Sequence, residues 1–438
     1  MARRAKKAPK LKASPSTEVA ITTPRTISDL PPELLHMVFA HLRKSRCIKS
    51  IKSCMWVRPL RDVAVRYLEF KSPHVHDSLN HFLSLMRTHS KSSLPETVQT
   101  LTLSNMSLDA SLVRELLQLL PKLDSLYLHD ISCKPPSPYP RPHSLPVPDA
   151  ETIHSPRKLQ INCRLAHGWS LSGMMHILSL IAPMEVYIFI HDGLRFRDKF
   201  DPTCLAAFPA VRVLRVSVWD REIPNSKKSI ANVLVALSRT LAPDVLQTVW
   251  VDYDFKATLR ALGTLLKRIG GNVKELKLCG YAPAKAWRKK RGWVEAFDDW
   301  KLLDLQACKK LESISFPTLY VRPCEDFKAQ RALSYVAAGL LANYVSPTLR
   351  RFSIDLCYFM DPFAYEDRVE FDLQEFDKVL TQARFPNLST FYFNVYVKWH
   401  LLEEGDYFTL AHARNAVYRA LPDLYSRDVL RVVIEEPW

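Results

Sequence analysis

The chain has 438 residues, 47% of them apolar, which is enough to bury a large core. Lys and Arg number 61 against 45 Asp and Glu, a net charge of +16 that favours acidic partners, and six cations against one carboxylate in the first 24 residues supply +5 of it. No run of 18 apolar residues occurs, no C-x-x-C pair joins any of the nine cysteines, and glycines number only 10, which argues against a membrane span, a small disulfide framework and Gly-rich phosphate loops.

Residues 1–26 carry Arg3, Arg4, Lys6, Lys7, Lys10 and Lys12 and then Ser, Thr and Pro. They read as a disordered basic tail with the composition of a nuclear import signal, and no apolar stretch follows to make a secretory leader. The expected location is nuclear, cytoplasmic or both, with the cysteines as buried, reduced thiols. Residues 27–72 read as a compact helical module. Ser28 or Asp29 caps a first helix, Pro31 and Pro32 fit its first turn, and Leu34, Leu35, Val38, Phe39 and Leu42 follow at helical spacing. Two further short helical patterns run from Ile48 to Phe70, around Ile51, Trp56, Leu60, Val63 and Leu68. His74, His76 and His81 are too loosely spaced for a zinc site and read as a surface linker.

From residue 73 onward one pattern recurs, apolar-x-x-apolar-x-apolar. It appears as VQTLTL at 98–103, LDSLYL at 123–128, PRKLQI at 156–161, PMEVYI at 183–188, VRVLRV at 211–216 and LQTVWV at 246–251. VKELKL at 273–278, LESISF at 311–316, LRRFSI at 349–354, LSTFYF at 388–393 and VLRVVI at 429–434 complete eleven copies. Each is a strand with period-2 alternation, and most intervals hold an amphipathic helix, for example from 111, 172, 229, 255, 331 and 372. Strand–helix units spaced 25–41 residues apart predict an α/β solenoid, a leucine-rich-repeat-like horseshoe of parallel strands with outer helices. A closed barrel needs eight units rather than eleven. Residues 133–158 hold eight prolines and read as a loop insertion.

None of the common nucleotide, hydrolase or zinc-protease motifs is present, so no catalytic residue, metal or cofactor is assigned. Asp252 and Asp254 pair their carboxylates at what reads as a solvated strand end. KAWRKKRGW at 285–293 mixes cations and tryptophans, and reads as a loop whose tryptophans tuck into a neighbouring unit more readily than as a nucleic-acid site. Residues flanking the central apolar position of each strand point away from the core. They make a candidate cargo surface of Tyr127, Tyr187, Phe189, Arg215, Trp250, Lys277, Arg351 and Tyr392, with His129, Gln160, Asp252, Asp355 and Asn394 beside them.

Residues 26–70 resemble an F-box. Leu30, Pro31, Glu33, Leu34, Leu35, Val38, Phe39 and Leu42 match its opening Leu-Pro-x-Glu-Leu-Leu, Ile/Val-Phe and Leu positions. Ile48, Ile51, Cys54 and the run from Arg58 to Val63 stand for its middle, where Trp56 comes early, and Leu68 and Phe70 close it. The repeats depart from the leucine-rich consensus, because Met106 and Ile131 stand where its asparagine is expected, with Asn105 one place early. The resemblance implies a non-enzymatic substrate-recognition subunit of a Skp–cullin–F-box ubiquitin ligase. The eight matched residues would dock the Skp adaptor, and through it a cullin, while the solenoid holds a protein cargo. The alternative is a stand-alone repeat scaffold that binds protein or nucleic acid through its basic surface.

Overall fold

The computed structural model describes residues 67–70, 75–88, 94–133, 155–163, 170–190, 196, 198, 200, 209–218, 229–253, 256–280, 303, 305–320, 338–359, 374–397 and 410–435. The chain divides between Val65 and Arg66, and every described residue belongs to the second unit. That unit opens with β1 (Tyr67–Phe70), α1 (Val75–Thr88), α2 (Leu94–Thr97), β2 (Thr100–Ser104), β3 (Ser107–Leu108), α3 (Ala110–Leu119), β4 (Ser125–His129) and β5 (Ser132–Cys133). It continues with β6 (Lys158–Cys163), α4 (Leu171–Ile181), β7 (Glu185–Ile190), β8 (Val213–Val218), α5 (Ser229–Thr240), β9 (Thr248–Tyr253), α6 (Lys256–Ile269), β10 (Glu275–Gly280) and β11 (Ser313–Tyr320). The last elements are β12 (Arg351–Phe359), α7 (Gln374–Val379), β13 (Thr390–Val397), α8 (Leu410–Ala420), α9 (Pro422–Ser426) and β14 (Leu430–Glu435), and residues 338–342 are also helical.

The fold is α/β. Twelve strands form one sheet in the order β1-β2-β4-β6-β7-β8-β9-β10-β11-β12-β13-β14, so each pairs with its neighbours in the chain, and every pairing is parallel. Among the described residues β1 pairs with β2 alone and β14 with β13 alone, so these strands do not close into a barrel. All eleven repeated patterns fall on strands of this sheet. The central residues of ten of them lie in register, Leu101 beside Leu126, Leu159, Val186, Leu214, Val249 and Leu276, then Ile314, Phe352 and Phe391, whereas Val432 of the eleventh stands beside Phe393 and Leu430 takes the place beside Phe391. Each of these ten side chains is 0–2% exposed, and the first apolar position of the pattern is buried too, proline at Pro156 and Pro183 included. Burying one such side chain contributes about 1.5–3 kcal/mol before ordering entropy is subtracted.

Helices cover this apolar face. Phe376 of α7 meets Phe352 of β12 at 5.7 Å and Phe391 of β13 at 6.0 Å between ring centroids, and Phe316 and Phe393 extend the cluster. The first two full units also share a turn. Asn105 and Asp130 follow β2 and β4 with φ of 57° and 54°, in the left-handed region that Asn and Asp tolerate better than most residues. Their N–H groups donate to the next unit, Asn105 to the His129 carbonyl and Asp130 to that of Asn162, both at 3.0 Å. Met106 and Ile131, at the consensus asparagine positions, are buried as an apolar pair behind them.

Side chains from one unit also terminate helices of another. Asp198 accepts from the Leu171 and Ser172 N–H groups at 2.7 and 2.9 Å and from the Ser170 hydroxyl at 2.8 Å, at the start of α4. Burial alone would raise the Asp198 carboxyl, but these hydrogen bonds outweigh it and hold it below the usual carboxylate range. Asp377 accepts from the Asp423 and Leu424 N–H groups of α9 at 2.9 and 3.1 Å, yet here burial prevails and the carboxyl is pushed up. Arg384 donates to the Leu341, Ala342 and Tyr344 carbonyls behind residues 338–342, and Arg427 to the Leu380 carbonyl behind α7.

Four sequence expectations change. Leu68 and Phe70 lie in β1, not in a helix, since Leu68 pairs beside Leu101 and adds a twelfth strand. Val75–Thr88 is a helix rather than a surface linker, because Leu79, Leu83 and Met86 recur every third or fourth residue and are 1% exposed. The Pro-rich insertion is shorter than 133–158, since Cys133 belongs to β5 and Lys158 to β6. Asp252 is 5% exposed rather than solvated, and its carboxylate accepts from the Val218 N–H at 3.0 Å, while Asp254 lies outside the described residues.

Phe352→Ala is expected to cost about 3–5 kcal/mol in urea unfolding, because it empties the centre of the Phe cluster. Val345→Ala, at a position 58% exposed, is expected to change stability by no more than about 0.5 kcal/mol. Asp198→Asn tests the depressed carboxyl. The stabilisation by Asp198 is fully present above the unfolded carboxylate pKa and is lost as pH falls through the lower folded value. The variant should melt below the wild type at pH 7, and the two melting curves should converge in acid.

Candidate binding face

Because strand side chains alternate, burying one set of positions presents the other set on the opposite face of the sheet. Parallel pairing in constant register then lines them up. Thr102, Tyr127, Gln160, Tyr187, Arg215, Trp250, Lys277, Ser315, Ser353, Tyr392 and Arg431 form one continuous row, each the backbone neighbour of the next. The row one step toward the strand starts contains Lys158, Glu185, Glu275 and Arg351.

Cations and rings interleave along the row. The Lys158 ammonium lies 4.7 Å from the Tyr187 ring centroid and 5.3 Å from that of Tyr127. The Arg215 guanidinium lies 3.7 Å from the Trp250 centroid and 5.2 Å from that of Phe189. Lys277 approaches Trp250 from the next strand at 5.4 Å, and Arg351 sits 5.7 Å from the Tyr392 centroid. Following the sheet, the order is Tyr127, Lys158, Tyr187, Arg215, Trp250, Lys277, then Arg351, Tyr392 and Arg431. Trp250 is therefore flanked on both sides, and its buried indole Nε1 has no hydrogen-bond partner among the described residues. Burial, followed by the charge of Glu185, pushes the Tyr187 hydroxyl up, against the opposing pull of Arg215 and Arg157.

Polar contacts hold these side chains in place. Arg215 Nε donates to Ser217 Oγ at 3.1 Å, and the Tyr187 hydroxyl donates to Glu185 at 3.3 Å. His129 and Asn162 share a 2.6 Å hydrogen bond, Gln160 donates to Asn162 at 3.2 Å, and Asn394 donates to Asp355 at 2.6 Å. Arg157 pairs with Glu185 and Lys277 with Glu275, both at 2.9 Å, and Arg431 pairs with Asp428. Lys158 and Arg351 make no ion pair among the described residues.

The structure brings together all eight residues expected to take cargo, but in a different state from that expected. Tyr127, Tyr187, Phe189, Trp250 and Tyr392 are half-buried against their cations rather than freely exposed. Arg351 is exposed, whereas Arg215 and Lys277 are half-buried. Sequence reasoning missed Lys158 and Arg431 as members of the row. Lys158 carried the signal, standing two residues before Gln160 and so on the same face of the strand. The adaptor-docking candidates Leu30, Pro31, Glu33, Leu34, Leu35, Val38, Phe39 and Leu42 lie outside the described residues, as do the basic tail and residues 285–293. No cluster of His, Cys, Asp and Glu suited to a metal ion occurs among the described residues, and none of their helices is long and apolar enough to cross a membrane. No family model matches the chain, and no curated protein matches it either.

Arg215→Ala removes a guanidinium stacked on Trp250 and is expected to cost about 1–2 kcal/mol in urea unfolding. Arg350→Ala, at an exposed position just before β12, should stay within about 0.5 kcal/mol.

Proposed function

We propose that this chain is a non-catalytic recognition protein that holds a ligand against the cation–aromatic row of its sheet. The observation that carries this reading is the row itself. Aromatic and cationic side chains, the types that dominate binding hot spots, alternate across adjacent strands, and backbone pairing holds them in register. The second unit is read as a leucine-rich-repeat-like solenoid. Strand order follows chain order, each unit contributes one strand, and the described strands do not close into a barrel. The turns at Asn105 and Asp130, linked by repeat-to-repeat hydrogen bonds, support the same reading.

The N-terminal unit is the adaptor-docking half of the proposal, on the strength of its F-box-like residues. On this reading the module ends before β1, because Leu68 and Phe70 belong to the sheet. The spacing of Leu30, Leu34, Leu35, Val38, Phe39 and Leu42 would put them on more than one stripe of the helix expected from the sequence. One stripe can pack on the module itself and another can enter a hydrophobic groove of a Skp-type adaptor. Cargo on the row would then be held near a ubiquitin-conjugating enzyme, and rate enhancement would come from proximity alone.

Co-purification with a Skp-type adaptor tests this assignment. The wild-type chain should retain the adaptor, and the Leu30→Ala/Pro31→Ala variant should lose about 2–4 kcal/mol of binding, roughly 30- to 1,000-fold in affinity. A wild-type chain that retains no adaptor overturns the ligase reading and leaves the stand-alone scaffold. A double variant that binds as well as the wild type moves the adaptor contact off this helix.

A further inference from the structure

The ligand chemistry of the row follows from which of its groups are satisfied. Rings and cations stabilise one another, and the carboxylates Glu185, Glu275 and Asp428 are engaged by Arg157, Lys277 and Arg431. Asp252 and Asp355, on the same face, accept from the Val218 N–H and the Asn394 amide. Lys158 and Arg351 have aromatic partners but no carboxylate among the described residues.

The same packing weighs against a nucleic acid. Single-stranded nucleic acids bind by stacking bases on open aromatic faces. Here Trp250 stands between Arg215 and Lys277, and the Lys158 ammonium lies over the Tyr187 ring, so neither ring is open for stacking on the cation's side. Cation heads occupy alternate strands, β6, β8, β10 and β12. Neighbouring strands are about 4.8 Å apart, which spaces these cations by roughly 9.6 Å. An extended segment in the polyproline II conformation has three residues per turn and rises about 3.1 Å per residue, so every third side chain returns to the same face after about 9.3 Å.

We propose that the row from Lys158 to Arg351 binds an extended protein segment carrying carboxylates at about every third residue, laid across the strands. This rests on the reading of the row as a binding face, and is independent of the adaptor assignment. The stacked rings hold the cations in place before binding, so less side-chain freedom is lost when the acidic segment arrives.

The experiment is fluorescence polarisation with the full chain at low and physiological salt. The probes are a labelled Gly/Ser peptide with Glu at every third position, its Gln counterpart, and an oligouridylate of equal net charge. The Glu peptide should bind and weaken with salt, whereas the Gln peptide should not bind. Lys158→Gln/Arg351→Gln should reduce affinity about tenfold, and Lys158→Arg/Arg351→Lys should restore most of it. Lys122→Gln/Arg260→Gln removes the same charge from exposed positions off the row and should leave affinity within about twofold. Thermal melts establish that each variant is folded. Equal binding by the Lys158→Gln/Arg351→Gln variant, or equal losses in both Gln pairs, overturns the proposal, since only overall charge would then matter. Tighter binding of the oligouridylate that is lost in the same variant reassigns the row to nucleic acid. Failure of the Glu peptide in a chain that still retains the adaptor overturns this inference alone, and loss of adaptor with intact peptide binding overturns only the ligase reading.

Discussion

Parallel backbone pairing at constant register is the constraint on which the rest of this structure depends. Each strand places one apolar residue beside the equivalent residue of its neighbour, from Leu101 across to Phe391. A slip of one residue in any pair would turn an entire apolar set to the polar face. The register is held by burial on one side and, just ahead of each strand, by an extra bond to the preceding unit. The Lys158 N–H donates to Asp124, Glu185 to Arg157, and Lys274 to Gln247, at 2.8–2.9 Å. The cation–aromatic row is the other face of that same constraint.

The variable intervals between strands are reconciled by side chains rather than by identical loops. Between β2 and β4, and between β4 and β6, backbone turns at Asn105 and Asp130 join adjacent units directly. Where intervals lengthen toward the C-terminal end, Arg384 and Arg427 reach back across units to take up carbonyls at helix ends, and Asp377 takes up N–H groups. These contacts satisfy polar groups that would otherwise be buried without partners. The two remote carboxylate caps differ electrostatically. Asp198 gains enough hydrogen bonds to favour its charged form, whereas burial of Asp377 outweighs its two.

The residues of the proposed binding face also stabilise the sheet. A freely exposed Trp or Tyr would be a costly apolar surface in water. Sandwiching Trp250 between Arg215 and Lys277, and Tyr187 beside Lys158, removes much of that surface while leaving the charge at the top of the stack. The consequence is a strip of cations held in place by the rings they cover.

Period-2 alternation, repeated eleven times, determined the strands, their parallel order and the residues that face away from the core, because each is a local property of the chain. The same local logic reached all eight residues of the proposed cargo surface. It overlooked β1, whose four residues Tyr67–Phe70 carry too short a pattern to distinguish a strand from the end of a helix, and which is a strand because β2 offers it a pairing edge. It also left Asp252 in solvent, since nothing near that residue in the sequence announces that its carboxylate meets the Val218 N–H, 34 residues away in the chain. Only the tertiary structure decided how the polar side chains meet. Lys158 reaches over rings from β4 and β7, and Arg215 stacks on a tryptophan from β9. Such contacts arise between strands some 30 residues apart, where spacing in the sequence carries no information until the register is set.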